Sequence, residues 1–138
     1  VKYIHDNAKT KNMSRGESSV FNHLLESGYE FDNTFFREVT FNDLRGVSGG
    51  LLRYDFKVMV DDVKFVLIEF DGRQHFEPVK FSITTTAGNA LANYKQTRIH
   101  DRIKNDYCTD NGIELLRIKY DQVSLIGVMI TEFIRIHS

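Results

Sequence analysis

With 138 residues, 41% hydrophobic content, one proline and nine glycines, the chain is long enough for one core, too short for two comfortable domains, and not composed like a disordered segment. A net charge of -1 rules out any nucleic-acid reading based on global charge. The lone Cys108 excludes an internal disulfide, no Cys/His spacing suggests structural zinc, and the longest apolar runs, Phe65 to Ile68 and Leu125 to Ile130, are far too short to span a bilayer. A single cytoplasmic domain is expected, and the opening Val1 suggests a fragment of a longer protein.

In chain order, Lys2, Lys9, Lys11 and Arg15 against Asp6 give a basic start. Ser14-Arg15-Gly16-Glu17 has the form of a capping box, and Val20, Phe21, Leu24 and Leu25 follow at helical spacing, which predicts a helix from Ser14 to Ser27 closed by Gly28. Tyr29 to Val39 mixes aromatic and β-branched residues and reads as a strand. Two alternating runs then flank Asp61-Asp62 and predict an antiparallel hairpin. Ser82 to Ala92 is small, polar and weakly patterned, and is expected to be a loop. Arg98 to Asn111 reads as a helix ended by Gly112, Ile113 to Lys119 as a strand, and Asp121 as the cap of a final helix carrying Val123, Ile126, Ile130, Phe133 and Ile134. The order is α-β-β-β-α-β-α, an α/β arrangement whose last strand is expected to join the sheet in parallel.

The hairpin carries the most chemistry. Strict alternation would put Leu52, Tyr54, Phe56, Val58 and Val60 on one face and Arg53, Asp55 and Lys57 on the other, while Phe65, Leu67, Glu69 and Asp71 share a face of the second run. Asp55 is thereby brought beside Glu69 and Asp71. A charged strand residue can simply face solvent, but three neighbouring carboxylates suit a hard divalent cation. Glu69 shares the face of an apolar run, so its burial calls for a cation or for an ion pair, with Arg53 as the competing partner. His75 follows at a glycine-bearing strand end, and an imidazole with a pKa of about 6.5 suits proton abstraction near neutrality.

Later residues leave more open. Lys95, Arg98, Arg102 and Lys104 form a second basic run that is either a solvated surface or a set of phosphate clamps. If Ile99, Ile103 and Tyr107 define the buried stripe of their helix, His100 and Lys104 flank it more closely than Asp101, and His100 is a second candidate for water activation or phosphate contact. The capping box explains Glu17 without chemistry, yet Glu17 also lies at the edge of the stripe formed by residues 20, 21 and 24. His5, His23 and His137 read as surface or boundary residues, and Cys108 as a small buried thiol.

Asp55 with Glu69-Phe70-Asp71 resembles the acidic motif of the PD-(D/E)XK nuclease superfamily, with aspartate where lysine is usual. The continuation Asp71-Gly72-x-x-His75 and the later His100-Asp101-x-x-Lys104 are similar to the very short patch repair endonucleases and to the EDxHD phage homing endonucleases. The resemblance covers most of the chain and implies a restriction-endonuclease-like core. It assigns Glu17, Asp55, His75 and Asp101 as the E, D, H and D, with His75 activating water and Asp101 aligning it. It further implies Asp55 as a ligand to Mg²⁺ or Mn²⁺, Glu69 or Asp71 and the Phe70 carbonyl completing or orienting the shell, and Glu17 contacting hydrated metal.

On this resemblance the expected activity is metal-dependent hydrolysis of double-stranded DNA by a homing endonuclease, encoded by a phage and acting as a homodimer beside separate DNA-recognition segments. Lys104, Arg98, Arg102, Lys95 and Arg53 are the expected phosphate contacts. The rivals are a mismatch-directed nickase, a nucleic-acid-binding module that has lost catalysis, and a protein-interaction domain.

Overall fold

The computed structural model describes residues 12–80, 82 and 84–138. Lys2, Lys9 and Lys11 of the basic start, with His5 and Asp6, lie outside the described residues.

The elements are α1 (Arg15–Glu26), β1 (Phe35–Arg45), β2 (Leu51–Met59), β3 (Phe65–Asp71), a 3-10 turn (Arg73–His75), α2 (Ala87–Asp110), β4 (Leu115–Lys119), a second 3-10 turn (Tyr120–Leu125) and α3 (Ile126–His137). One mixed sheet runs β1-β2-β3-β4, antiparallel except for β3 and β4, which pair in parallel across the α2 crossover. The chain is thus α/β, a four-stranded mixed sheet with flanking helices, in the order read from the sequence.

The helix and turn signals act as their chemistry dictates. Ser14 and Glu17 close a reciprocal capping box, Gly28 and Gly112 take left-handed φ values of 97° and 66° at helix ends, and Asp61 Oδ1 accepts from Val63 N and Lys64 N in the hairpin turn.

Three boundaries differ from expectation. Residues 32–34 form a turn, because Glu30 O accepts from Asn33 N, Thr34 N and Phe35 N and Asp32 sits at φ 64°; β1 begins only at Phe35. Helix α2 starts inside the expected loop, since Thr86 caps it by accepting from Asn89 N. Asp121 lies in the second 3-10 turn and does not cap α3, which is entered from Leu125.

The sheet is covered on both faces. Val20 and Leu24 of α1 and Ile126 and Ile130 of α3 pack with Phe35, Phe56, Val58, Val66, Ile68 and Ile118. On the other face, Cys108 of α2 packs with Leu44, Tyr54 and Leu67. Each fully buried large side chain contributes roughly 1.5–3 kcal/mol, so the two layers fix which strand residues point where.

That division exposes a departure from strict alternation. Leu52 and Tyr54 pack toward α2, whereas Phe56, Val58 and Val60 pack toward α1 and α3, so β2 switches faces at Asp55. Opposite it, β1 switches as well: Phe35 packs with α1 and Phe41 with α2, and between the pairs Arg37↔Phe56 and Val39↔Tyr54 stands Glu38 at φ 54°. A left-handed glutamate costs on the order of 1–2 kcal/mol, and such strain gathers at functional sites.

Candidate active site

The β2–β3 ladder holds from Met59↔Phe65 to Phe56↔Ile68 and then stops, although β2 continues along β1 and β3 along β4. Side chains take over at this fork. Asp55 N donates to Glu69 Oε2 at 2.7 Å, and Phe70 N donates to Asp55 Oδ2 at 2.8 Å. The two carboxylates predicted to be neighbours therefore occupy the place of the missing backbone hydrogen bonds.

On one side of the fork, Glu17, Glu38 and Asp55 each bring a carboxylate oxygen to within 4.8 Å of the other two. Helix α1 delivers Glu17 because Gly16 lies flat on the Phe70 ring, where an added Cβ would come within 2.1 Å of ring carbons. Glu17 caps the helix, its Oε1 accepting from Ser14 N at 2.9 Å, and its carboxylate also belongs to the acidic group. The local excess of negative charge acts on Asp55. Burial, then the charges of Glu69 and Glu17, push its carboxyl up to about 9 against the hydrogen bond from Phe70 N. Arg37 and Arg53 approach Glu38 only at 3.6 and 3.8 Å, and the buried Nε of Arg37 has no hydrogen-bond partner.

Glu69 is turned to the other face. Its carboxylate is buried and ion-paired with the Lys104 ammonium from α2, which also lies over the Tyr54 ring. Lys104 is therefore an interior counter-ion, not the surface phosphate clamp expected, and Glu69 pairs with it and not with Arg53. The reason is geometric: of the expected buried stripe of α2, Ile103 and Tyr107 pack inward but Ile99 is 49% exposed, and Lys104 and Cys108 are buried beside them. Cys108 is the small buried thiol expected, donating to Tyr54 Oη.

Past the end of β3, His75 meets Asp101 of α2. Their contact, Nδ1 to Oδ2, is 2.8 Å, and Asp71 Oδ1 lies 3.6 Å from the same nitrogen. Burial alone would depress the imidazole, but the Asp101 hydrogen bond and the Asp71 charge outweigh it and raise its pKa above the ordinary histidine value. With Nδ1 facing a carboxylate, the neutral ring keeps its proton there and leaves the Nε2 lone pair free to accept another. Glu69 links the two halves of the site, since its charge acts on both Asp55 and His75.

Asp71 does not join the carboxylate group. Arg117 Nη1 donates to both its oxygens, at 2.8 and 3.0 Å. His100 is also engaged elsewhere: its Nε2 accepts from Val47 N at 3.2 Å and fills the space over Gly46, bracing the β1–β2 connection. Among the expected phosphate contacts, Lys95, Arg98 and Arg102 are exposed on α2, and Arg98 and Arg102 line a groove of about 560 Å³ together with Asp101 and Asp106. Arg53 is exposed next to Glu38.

Two residues of the site escaped the sequence reading. Glu38 had no signal, because a break in alternation cannot be seen without its partner strand. Arg117 had one: a charged residue amid Leu115, Leu116 and Ile118 requires a buried counter-charge.

As a donor set, Glu17, Glu38 and Asp55 fit a hard divalent cation, since all three offer carboxylate oxygens and, among the described residues, the arginines paired with them reach only Glu38. Compared with known proteins, the chain matches no family model, no curated protein and no solved structure. Among the described residues, no helix is long and apolar enough to cross a membrane.

Proposed function

We propose that the chain is the catalytic domain of a divalent-metal-dependent DNA endonuclease with a PD-(D/E)XK-type core, in which a histidine does the work usually given to the motif lysine. The observation that carries this reading is the fork itself: an under-neutralised carboxylate group at Glu17, Glu38 and Asp55 on one side, an aspartate-oriented imidazole on the other, and Glu69 coupled to both. The parallel β4 beside an antiparallel β1-β2-β3 meander supports the fold assignment. Lys95, Arg98 and Arg102 are exposed on α2, Arg98 and Arg102 in a groove they share with Asp101 and Asp106, and are placed to contact backbone phosphates.

In this reading Glu17, Glu38 and Asp55 would hold Mg²⁺ or Mn²⁺, with the Phe70 carbonyl as a further donor, and a cation bound there would supply Lewis-acid stabilisation of the charge that builds on the phosphoryl oxygens. His75 Nε2 takes a proton from the water that attacks phosphorus, and Asp101 holds Nδ1–H and stabilises the resulting imidazolium. The phosphorus–oxygen bond to the departing strand breaks, and the leaving oxygen takes a proton from solvent. Arg98, Arg102 and Lys95 contact backbone phosphates. Homing remains the narrower form of this proposal, with two copies placing two sites on opposite strands.

Supercoiled plasmid incubated with the protein and Mg²⁺ tests the proposal. Wild type is expected to relax or linearise it, and Asp55→Ala to lose at least 10³-fold in rate. Asp55→Ala cutting at the wild-type rate would remove the nuclease reading, and DNA binding without scission by wild type would favour a binding module instead.

A further inference from the structure

Arg117 stands on β4 directly across from Glu69 on β3, and its side chain is only 22% exposed. Its guanidinium reaches three different acceptors. Nη1 grips both oxygens of Asp71, Nε donates to Asn105 Oδ1 at 2.8 Å, and Nη2 donates to the main-chain carbonyl of Asp101 at 3.3 Å. The Asp101 carboxylate is nearby too, with Oδ1 3.7 Å from Nη1. Lysine could offer one point charge here but not three diverging donors in a plane.

The arrangement matters because His75 Nδ1 has two carboxylates within reach, Asp101 at 2.8 Å and Asp71 at 3.6 Å. Left to themselves they would compete for the same N–H. Arg117 removes Asp71 from that competition by taking both its oxygens, and the same guanidinium ties the backbone of Asp101 and the next turn of α2 to the sheet. We propose that Arg117 is the positioning residue of the His75–Asp101 pair: it commits Asp71 elsewhere, makes Asp101 the partner of Nδ1, and so fixes the direction in which Nε2 meets the attacking water. This role rests on the nuclease reading for its catalytic consequence, but the geometry it claims can be tested without cleavage.

The residue does not touch substrate, so its loss should appear in kcat and leave KM unchanged. Arg117→Lys keeps a positive charge beside Asp71 and gives up the contacts to Asn105 and the Asp101 carbonyl. It is expected to lower kcat at least ten-fold with KM within two-fold of wild type. Two further readouts separate positioning from general loosening. Proton NMR of wild type should show a downfield, exchange-protected His75 Nδ1–H that Asp101→Asn abolishes and Asp71→Asn leaves in place; in Arg117→Lys that resonance should be lost into water exchange. In the Arg117→Lys background, Asp101→Asn should also cost less than in wild type, because Asp71 can then stand in.

If Arg117→Lys does not fold, Arg117→Gln takes its place; it leaves Asp71 free to compete for Nδ1–H, and the same loss of the resonance is expected. Wild-type kcat together with a wild-type Nδ1–H resonance in whichever variant folds would overturn the assignment. A wild-type protein that leaves plasmid intact would overturn the nuclease reading alone, and the resonance would still decide the role of Arg117.

Discussion

The two sides of the β2–β3 fork handle charge in opposite ways. At Glu17, Glu38 and Asp55, three carboxylates meet, and among the described residues their cationic compensation is limited to the longer approaches of Arg37 and Arg53 to Glu38. Around His75, every charged group has a close partner: Asp101 on the imidazole, Arg117 on Asp71, and Lys104 on the neighbouring Glu69. The balanced side holds a geometry, whereas the unbalanced side is short of positive charge, a deficit that a divalent cation would meet in the proposed function. Glu38 adds a backbone cost to the electrostatic one.

This contrast can be broken by substitution, and the largest effect on rate that spares metal binding is expected at the balanced side. His75→Ala should slow cleavage by about 10²–10⁴-fold while leaving metal binding intact, as measured by single-turnover cleavage and calorimetric titration of Mn²⁺. Equal damage to both readouts would merge the two sides into one. The rate should also depend on pH in a set direction. His75 must be neutral to accept a proton and its pKa is raised, so activity should fall as pH drops through a value above the ordinary ~6.5, with the acid limb absent in His75→Ala.

The unbalanced side makes a stability prediction of the opposite sign. Asp55 is held near 9 in the folded protein against an ordinary 3.8, so between those values the folded state binds the extra proton, and metal-free stability falls as pH rises across that window. Asp55→Asn keeps the acceptor for Phe70 N and removes the titration. It should raise the Tm of metal-free protein at neutral pH, by about 1–3 kcal/mol of stability, while abolishing cleavage. A lower Tm would mean that Asp55 is structural. Glu38→Gly should behave alike on a smaller scale, gaining up to about 1 kcal/mol by accepting the left-handed conformation and weakening Mg²⁺ affinity about ten-fold. The smallest effect is expected far from the fork: Arg98→Ala and Arg102→Ala should each reduce the salt dependence of DNA binding by about one charge.

How much of this was legible depended on whether the signal was local. Ser14 and Glu17, Asp61, Gly28 and Gly112 act within a few residues of themselves, and the structure places each as the sequence reads. The pairing of Asp55 with Glu69 and of His75 with Asp101 also follows the expectation, the first from hairpin register and the second from resemblance. The failures were long-range. Alternation along β2 put Tyr54 and Phe56 on one face, but the switch at Asp55 needs Glu38 on the neighbouring strand to make sense. Lys104 and Arg98 read alike as members of a basic run, and only the packing of α2 separates an interior counter-ion from an exposed groove residue. Asp71 fitted a metal ligand until Arg117 arrived from a strand 46 positions later.

The most direct test of the cation deficit is a crystal soaked in Mn²⁺ and measured for anomalous scattering. The account requires a peak bounded by carboxylate oxygens of Glu17, Glu38 and Asp55, lost in crystals of Glu38→Gln or Asp55→Asn. A peak seated instead between Glu69 and Asp71, or none at saturating Mn²⁺, would contradict it.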